Sequence, residues 1–166
     1  YGTGGACLEA TEDGFREAWT DRHIGLQFSS AIFERGVLYL VDGVADRSGA
    51  LVALDPASGK ELARTELVWD ETDEHGKSRS FTVGEGSLLH ADGKLLCLGD
   101  NGHLLWIEPG PTGAKLLARA RLFGANESWT PPVVVNGLLY VRQTRPERDG
   151  DAPPRLLCYD LRAAAR

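Results

Sequence analysis

Ser48-Gly49-Ala50-Leu51-Val52-Ala53-Leu54-Asp55-Pro56-Ala57-Ser58-Gly59-Lys60-Glu61-Leu62-Ala63-Arg64-Thr65-Glu66-Leu67 reads as strand, acidic turn, strand. Ala50 to Leu54 is a short apolar run. In Asp55 to Gly59, proline pre-sets φ and glycine is free to take a positive φ, so the chain turns. Lys60 to Leu67 then alternates, with Glu61, Ala63, Thr65 and Leu67 on one side and Lys60, Leu62, Arg64 and Glu66 on the other. This is a β-hairpin, and weaker copies of it recur.

One copy lies upstream: Cys7 to Glu9, a turn over Ala10 to Gly14, then Phe15 to Trp19. Another follows, with Glu108 before the turn, Gly113 in it and Ala114 to Phe123 after it. The apolar run Leu156 to Leu161 has the strand and the acid, Asp160, but no room for turn and partner. A second unit precedes the hairpin each time. Ser29 to Glu34 and Val37 to Asp42 flank Arg35-Gly36, Ser87 to Ala91 and Lys94 to Gly99 flank Asp92-Gly93, and Val133 to Val135 and Leu138 to Val141 flank Asn136-Gly137. Asp-Gly and Asn-Gly between apolar runs are strong hairpin signals, because both turn residues tolerate positive φ.

The spacing fixes the architecture. Gly14 to Gly59 is 45 residues and Gly93 to Gly137 is 44, the period of a four-stranded propeller blade. Gly36 to Gly93, at 57, and Gly59 to Gly113, at 54, both straddle the polar stretch Val68 to Phe81, so one insertion explains both. Residues 114–123 have high helix propensity, but their place in the repeat predicts a strand. The expected fold is all-β: one partial β-propeller domain of four-stranded antiparallel blades, about three to four of them. Residues 1–22 supply strands C and D of a truncated blade, 23–67 a blade, 68–81 a polar insert, 82–124 a blade, and 125–166 a last blade lacking strand D. The thirteen strands expected do not close a four-blade ring cleanly. With no methionine, and Tyr1 opening a Gly-rich strand-like segment, the chain reads as the C-terminal part of a larger propeller.

At 166 residues with a net charge of −6 and no Lys/Arg run, the composition argues against a dominant nucleic-acid role, which usually needs a basic face. No apolar run is long enough for a transmembrane helix. Cys7, Cys97 and Cys158 sit singly in separate strand-like runs, which predicts buried free thiols rather than a disulfide framework or zinc site.

The motif Ala53-Leu54-Asp55-Pro56-Ala57-Ser58-Gly59-Lys60-Glu61-Leu62 resembles the pyrroloquinoline-quinone-like (quinoprotein-type) repeat of β-propellers. Gly86 to Leu95, Trp129-Thr130-Pro131-Pro132 and Asn136 to Tyr140 are similar to the last blades of such proteins, most of all the secreted planctomycete-type members. In that family a tryptophan soon after the turn glycine docks neighbouring blades. Trp19 fits this role, whereas Ala63 and Leu117 stand four residues after Gly59 and Gly113, so smaller contacts are expected there. A quinoprotein dehydrogenase of this kind needs calcium, an Asp base and commonly a vicinal disulfide, and the sequence has no Cys-Cys pair.

Glu9, Asp55, Glu108 and Asp160 are each accounted for as turn acids that accept backbone N–H bonds. Asp70-Glu71-Thr72-Asp73-Glu74-His75-Gly76 is the best candidate for a calcium site, but it departs from the EF-hand pattern and a solvated acidic loop is the reading preferred. His23, His75, His90 and His103 have no ligand-like spacing, no serine sits in a Gly-x-Ser-x-Gly elbow, and Gly2 to Gly5 lacks the lysine and helix of a P-loop. Arg142 to Pro154 is a second polar excursion, a binding loop or a solvent loop.

The leading expectation is a noncatalytic propeller, periplasmic or secreted, that holds a protein or small-molecule partner through rim loops, with no cofactor and no catalytic or metal residues of its own. Two alternatives follow from the resemblance. One is a dehydrogenase whose quinone and calcium site lies in upstream blades. The other is an outer-membrane assembly lipoprotein of the same fold.

Overall fold

The computed structural model describes residues 3–43, 49–72, 75–124, 127–147 and 152–162. It is all-β, and among these residues the strands form separate antiparallel sheets without closing a ring. Strands β1 (Gly5–Thr11) and β2 (Gly14–Asp21) pair as a hairpin. Strands β3 (Ile32–Glu34), β4 (Val37–Asp42), β5 (Ala50–Leu54) and β6 (Glu61–Glu66) form a four-stranded meander. A second hairpin is made by β7 (Val68–Thr72) and β8 (Ser78–Thr82). The meander repeats in β9 (Ser87–Ala91), β10 (Lys94–Leu98), β11 (His103–Glu108) and β12 (Lys115–Arg121). A three-stranded sheet of β13 (Val133–Val135), β14 (Leu138–Arg142) and β15 (Leu156–Asp160) follows.

The two-residue turns explain the register. Arg35-Gly36, Asp92-Gly93 and Asn136-Gly137 all have positive φ at both positions, between 49° and 82°. Their flanks pair directly, Glu34 with Val37, Ala91 with Lys94 and Val135 with Leu138. That turn geometry matches the right-handed strand twist, and it aligns the apolar sets of successive strands. The helix-prone segment behaves as the repeat predicts, with 115–121 in strand β12.

Sheets stack face on face, which is why the inner strands are apolar at nearly every position. On β4, Leu40 joins Ile24, Val52 and Leu54 on the side of the first hairpin. Val37, Tyr39 and Val41 pack on the other side with Leu51, Leu88, Leu95, Cys97, Leu105 and Ile107. A third cluster, Leu98, Phe123, Leu139 and Val141, joins the second meander to the last sheet. Backbone bonds stitch the same sheets at one end: Val83 N–H to Leu67 O, Asp100 N–H to Val83 O and Ser128 N–H to Asp100 O, at 2.9–3.2 Å.

Three expectations change. The polar stretch 68–81 carries two unexpected strands, β7 and β8, which pair as a hairpin with Trp69 and Phe81 facing one another. Their burial against the core compensates for the polar residues between them, and the strand count among the described residues becomes fifteen. The first hairpin turns at Glu12-Asp13, with Thr11 opposite Gly14, so Glu9 lies in a strand and pairs with Arg16. Of the cysteines, Cys97 alone is fully buried, Cys7 is half-buried and Cys158 is exposed. Cys158 stands on β15, whose residues alternate exposed and half-buried because Leu157 and Tyr159 face the core and Cys158 the other side.

Candidate functional site: an aromatic platform under a charged cleft

The β7–β8 hairpin lies against one corner of the second meander and builds a polar junction there. Trp69 and Phe81 stack at 6.4 Å between ring centroids. His103, the first residue of β11, is wedged beside both, edge-on to Trp69 at 5.1 Å and tilted on Phe81 at 4.7 Å. It is 1% exposed. Its Nε2 lies 3.3 Å from Glu71 Oε2, while the Trp69 indole donates to Glu71 Oε1 at 2.9 Å.

From β12, Arg119 reaches over Trp69, its Cζ 5.8 Å from the ring centroid, and donates to Glu71 Oε1 at 3.4 Å and to the Asp70 backbone oxygen at 3.3 Å. Arg121 sits in the same way over Phe81, at 5.9 Å. The two arginines are two residues apart on one strand, hence on one face. Beside them opens a cleft of about 590 Å³, lined by Asp70, Glu71 and Thr72 on one wall and Ala118 to Arg121 on the other.

The electrostatics follow from burial. Removal from water, helped by Arg121 and Arg119, holds the His103 imidazole below its ordinary pKa, although Glu71 pulls the other way. The ring is therefore neutral at pH 7. Its proton belongs on Nε2, where the carboxylate accepts it, and Nδ1 is left buried without a partner. Burial opposes ionisation of Glu71, but donation from Trp69, His103 and Arg119 outweighs it and holds the carboxyl below the usual range. The buried ring and indole thus fix the carboxylate, the carboxylate fixes Arg119, and the cleft presents guanidinium groups to solvent.

The residues singled out from sequence fall elsewhere. Asp55 is a turn acid as expected, accepting from Ala57 N–H at 2.8 Å and Ser58 Oγ–H at 3.0 Å. Asp160 accepts from Arg162 N–H at 2.9 Å and from its guanidinium. Glu9 and Glu108 are instead strand residues paired with cations across the strand, Arg16 and Lys94. In the acidic stretch, Asp70 and Glu71 belong to β7, and Asp73 and Glu74 lie outside the described residues.

Among the described residues no three His, Cys, Asp or Glu side chains gather as metal ligands. Cys7, Cys97 and Cys158 lie on three different sheets, so they supply no vicinal pair for a quinone. In the second polar excursion Gln143 is buried and accepts from Arg155 N–H at 2.9 Å, pinning the loop ends, with 148–151 outside the described residues. Sequence reasoning missed His103, Trp69, Phe81, Arg119 and Arg121 as a group. The available signal was an aromatic at each end of the polar stretch, Trp69 and Phe81.

Blade docking follows the tryptophan expectation once and departs from it once. Trp19 donates from Nε1 to Pro56 O at 2.9 Å and lies against Gly59 of the next sheet's turn. In each outer hairpin the register slips by one, skipping Ala18, Leu62 and Leu117, so the positions equivalent to Trp19 are Ala63 and Ala118. The third equivalent is thus Ala118, one residue beyond Leu117. Ala63 leaves a slot with Gly110, Gly113 and Ala114 that has no room for a water. Thr65 bridges it, its Oγ accepting from Ala114 N–H at 3.0 Å.

No protein-family model matches the chain. Over 138 residues it is 28% identical to the outer membrane protein assembly factor BamB of Nitrosomonas eutropha, which covers 69% of this chain and 31% of that protein. The chain thus spans about a third of the length of the curated relative it matches. Among the described residues no helix is long and apolar enough to cross a membrane. Repeated antiparallel sheets and this likeness together fit a propeller-like repeat protein.

Proposed function

We propose that the chain is part of a noncatalytic quinoprotein-like propeller that acts as a protein-binding scaffold in outer-membrane protein assembly, on the periplasmic side of that membrane. The observation that carries this reading is the 28% identity to an outer membrane protein assembly factor, at 69% coverage of this chain. The site chemistry agrees with it. The one buried imidazole is spent on holding Glu71, and what faces solvent is a pair of arginines stacked on aromatic rings. Arg and Trp in such arrangements are the common anchors of protein interfaces.

The test is a chimera. The matched stretch of the Nitrosomonas factor is replaced by that of this chain, in a strain lacking the factor. Restored levels of outer-membrane β-barrel proteins are the expected result. A chimera that folds by circular dichroism and accumulates normally, yet restores nothing, would sink the reading.

A further inference from the structure

We propose that the cleft between β7 and β12 is the docking site for an acidic segment of the partner protein, one carboxylate of which forks onto Arg121. This rests on the scaffold reading above and deepens it. Glu71 serves Arg119 in the folded chain, but Arg121 has no acidic partner within ion-pair distance among the described residues. In a chain of net charge −6 it is a cation left over on a surface otherwise rich in acids.

Its guanidinium is also held in place. Phe81 lies beneath it at 5.9 Å, and a Cβ on Gly124 would come within 2.9 Å of its terminal nitrogen. Phe81 is itself fixed by Trp69 and His103. A planar fork already immobilised on an aromatic face loses little entropy on meeting a carboxylate, and two parallel N–H···O bonds then form.

The remaining groups at the cleft define what fits. Asp70, Glu71 and Thr72 form the facing wall, where the Glu71 carboxylate is already engaged by Trp69, His103 and Arg119. Glu147 is the next acid on the Gly124 side, and it is committed to Arg155. The carboxylate therefore belongs on the arginine face. A segment acidic along its whole length has its other carboxylates in solvent beyond the four-residue wall of Ala118 to Arg121.

The experiment measures fluorescence anisotropy of a labelled hexaglutamate peptide with the full chain, against hexaglutamine and a single-stranded hexathymidylate as controls. Saturable binding of hexaglutamate, weakened by salt and absent for hexaglutamine, is expected. Arg121→Ala should weaken it about tenfold, a lost charge-assisted hydrogen bond being worth that much. Arg121→Lys should fail to restore it, because an ammonium has no fork.

Gly124→Ala tests the position of the group rather than its charge. The added methyl meets only the far end of the Arg121 side chain, so the protein folds while the guanidinium moves and affinity falls. Wild-type affinity in both Arg121→Ala and Gly124→Ala overturns the proposal, as does hexathymidylate or inorganic phosphate competing as well as hexaglutamate. A chimera that restores assembly, together with an Arg121→Ala chain that captures hexaglutamate as tightly as the parent, overturns this inference and leaves the scaffold reading standing.

Discussion

The indole of Trp19 occupies the space where a side chain on Gly59 would stand. A Cβ built on Gly59 would lie 2.5 Å from the ring, and Gly59 has a φ of 71°, so the turn glycine is required twice over. The contact ties the β1–β2 hairpin to the next sheet, with the hydrogen bond to Pro56 O fixing its angle. Trp19→Ala should cost about 2–3 kcal/mol, the side chain being only partly buried. Gly59→Ala should cost a similar amount, from backbone strain of about 1–2 kcal/mol plus the clash. The double variant should cost less than the sum, since without the indole there is nothing to clash with. Urea midpoints at constant m-value measure all three, and strict additivity would show that the two residues do not meet in solution.

At the next junction the same task falls to a hydroxyl. Thr65→Val keeps the shape but leaves Ala114 N–H without its acceptor. The expected loss is about 1–2 kcal/mol, typical of an unsatisfied donor at a part-buried site. Thr65→Ser, which keeps the acceptor and drops a methyl, should lose less. If Ser loses as much as Val, methyl packing in the slot rather than the hydrogen bond holds this junction.

How far the sequence discloses this molecule depends on the range of the contact in question. Asp92-Gly93 and Asn136-Gly137 specify their hairpins through local turn chemistry alone, and 115–121 is strand because its place in the repeat outweighs the helix propensity of its residues. The β7–β8 hairpin escaped because its centre is Asp70, Glu71, Ser78 and Ser80, a composition that reads as solvent loop. What makes it a hairpin is the burial of Trp69 and Phe81 at its base, a tertiary gain invisible in a local window. The site escaped for the same reason. Glu71 and His103 are 32 residues apart, and no spacing rule connects them.

Acid should destabilise the protein in two steps, and His103 sets the first. The unfolded chain binds a proton at this residue near pH 6.5, whereas the buried, folded imidazole resists it to lower pH. Wherever the unfolded state binds more protons, stability falls with falling pH. The loss therefore begins below about pH 6.5 and ends once the folded ring also protonates. Glu71, held below its ordinary 4.5, acts in the same sense lower down: its contribution is present above that value and is lost as pH falls through the folded one. His103→Phe, set beside Trp69 and Phe81, should flatten stability between pH 7 and 5 while leaving the deeper acid transition. Chemical denaturation across that range distinguishes the two curves. Parallel curves would assign the first step to another group.

Neither calcium nor pyrroloquinoline quinone should raise the melting temperature of this chain. The turn and strand acids are already spent, Asp55 on Ala57 and Ser58, Glu9 on Arg16, Glu108 on Lys94 and Asp160 on Arg162. A ligand of the folded state at a hundred times its Kd adds about 2.7 kcal/mol, a rise of about 5 °C or more in a domain of this size. Differential scanning fluorimetry resolves that easily. Such a rise with either compound would overturn the metal-free, noncatalytic reading and favour a dehydrogenase.

Arg35 offers a stabilising change. It holds the first position of a two-residue turn at φ 49°, where the equivalent residues are Asp92 at 50° and Asn136 at 51°. The left-handed region costs an ordinary side chain about 1 kcal/mol, and Asn and Asp recover much of it by local hydrogen bonding. What Arg35 gains in return is an ion pair with Glu34 at 3.1 Å, made by a guanidinium that is 84% exposed. Such pairs contribute a few tenths of a kcal/mol, and Glu34 keeps His90 at 3.3 Å without it. Arg35→Asn should therefore stabilise the protein by about 0.5 kcal/mol. Asn136→Arg should destabilise it by a comparable amount, since Val135 precedes it where Glu34 precedes Arg35. The comparison is made in urea, with 1 M salt added to remove the ion pair from the first variant. If Arg35→Asn destabilises at low salt and not at high salt, the ion pair outweighs the turn, and the repeat tolerates arginine at this position for electrostatic reasons.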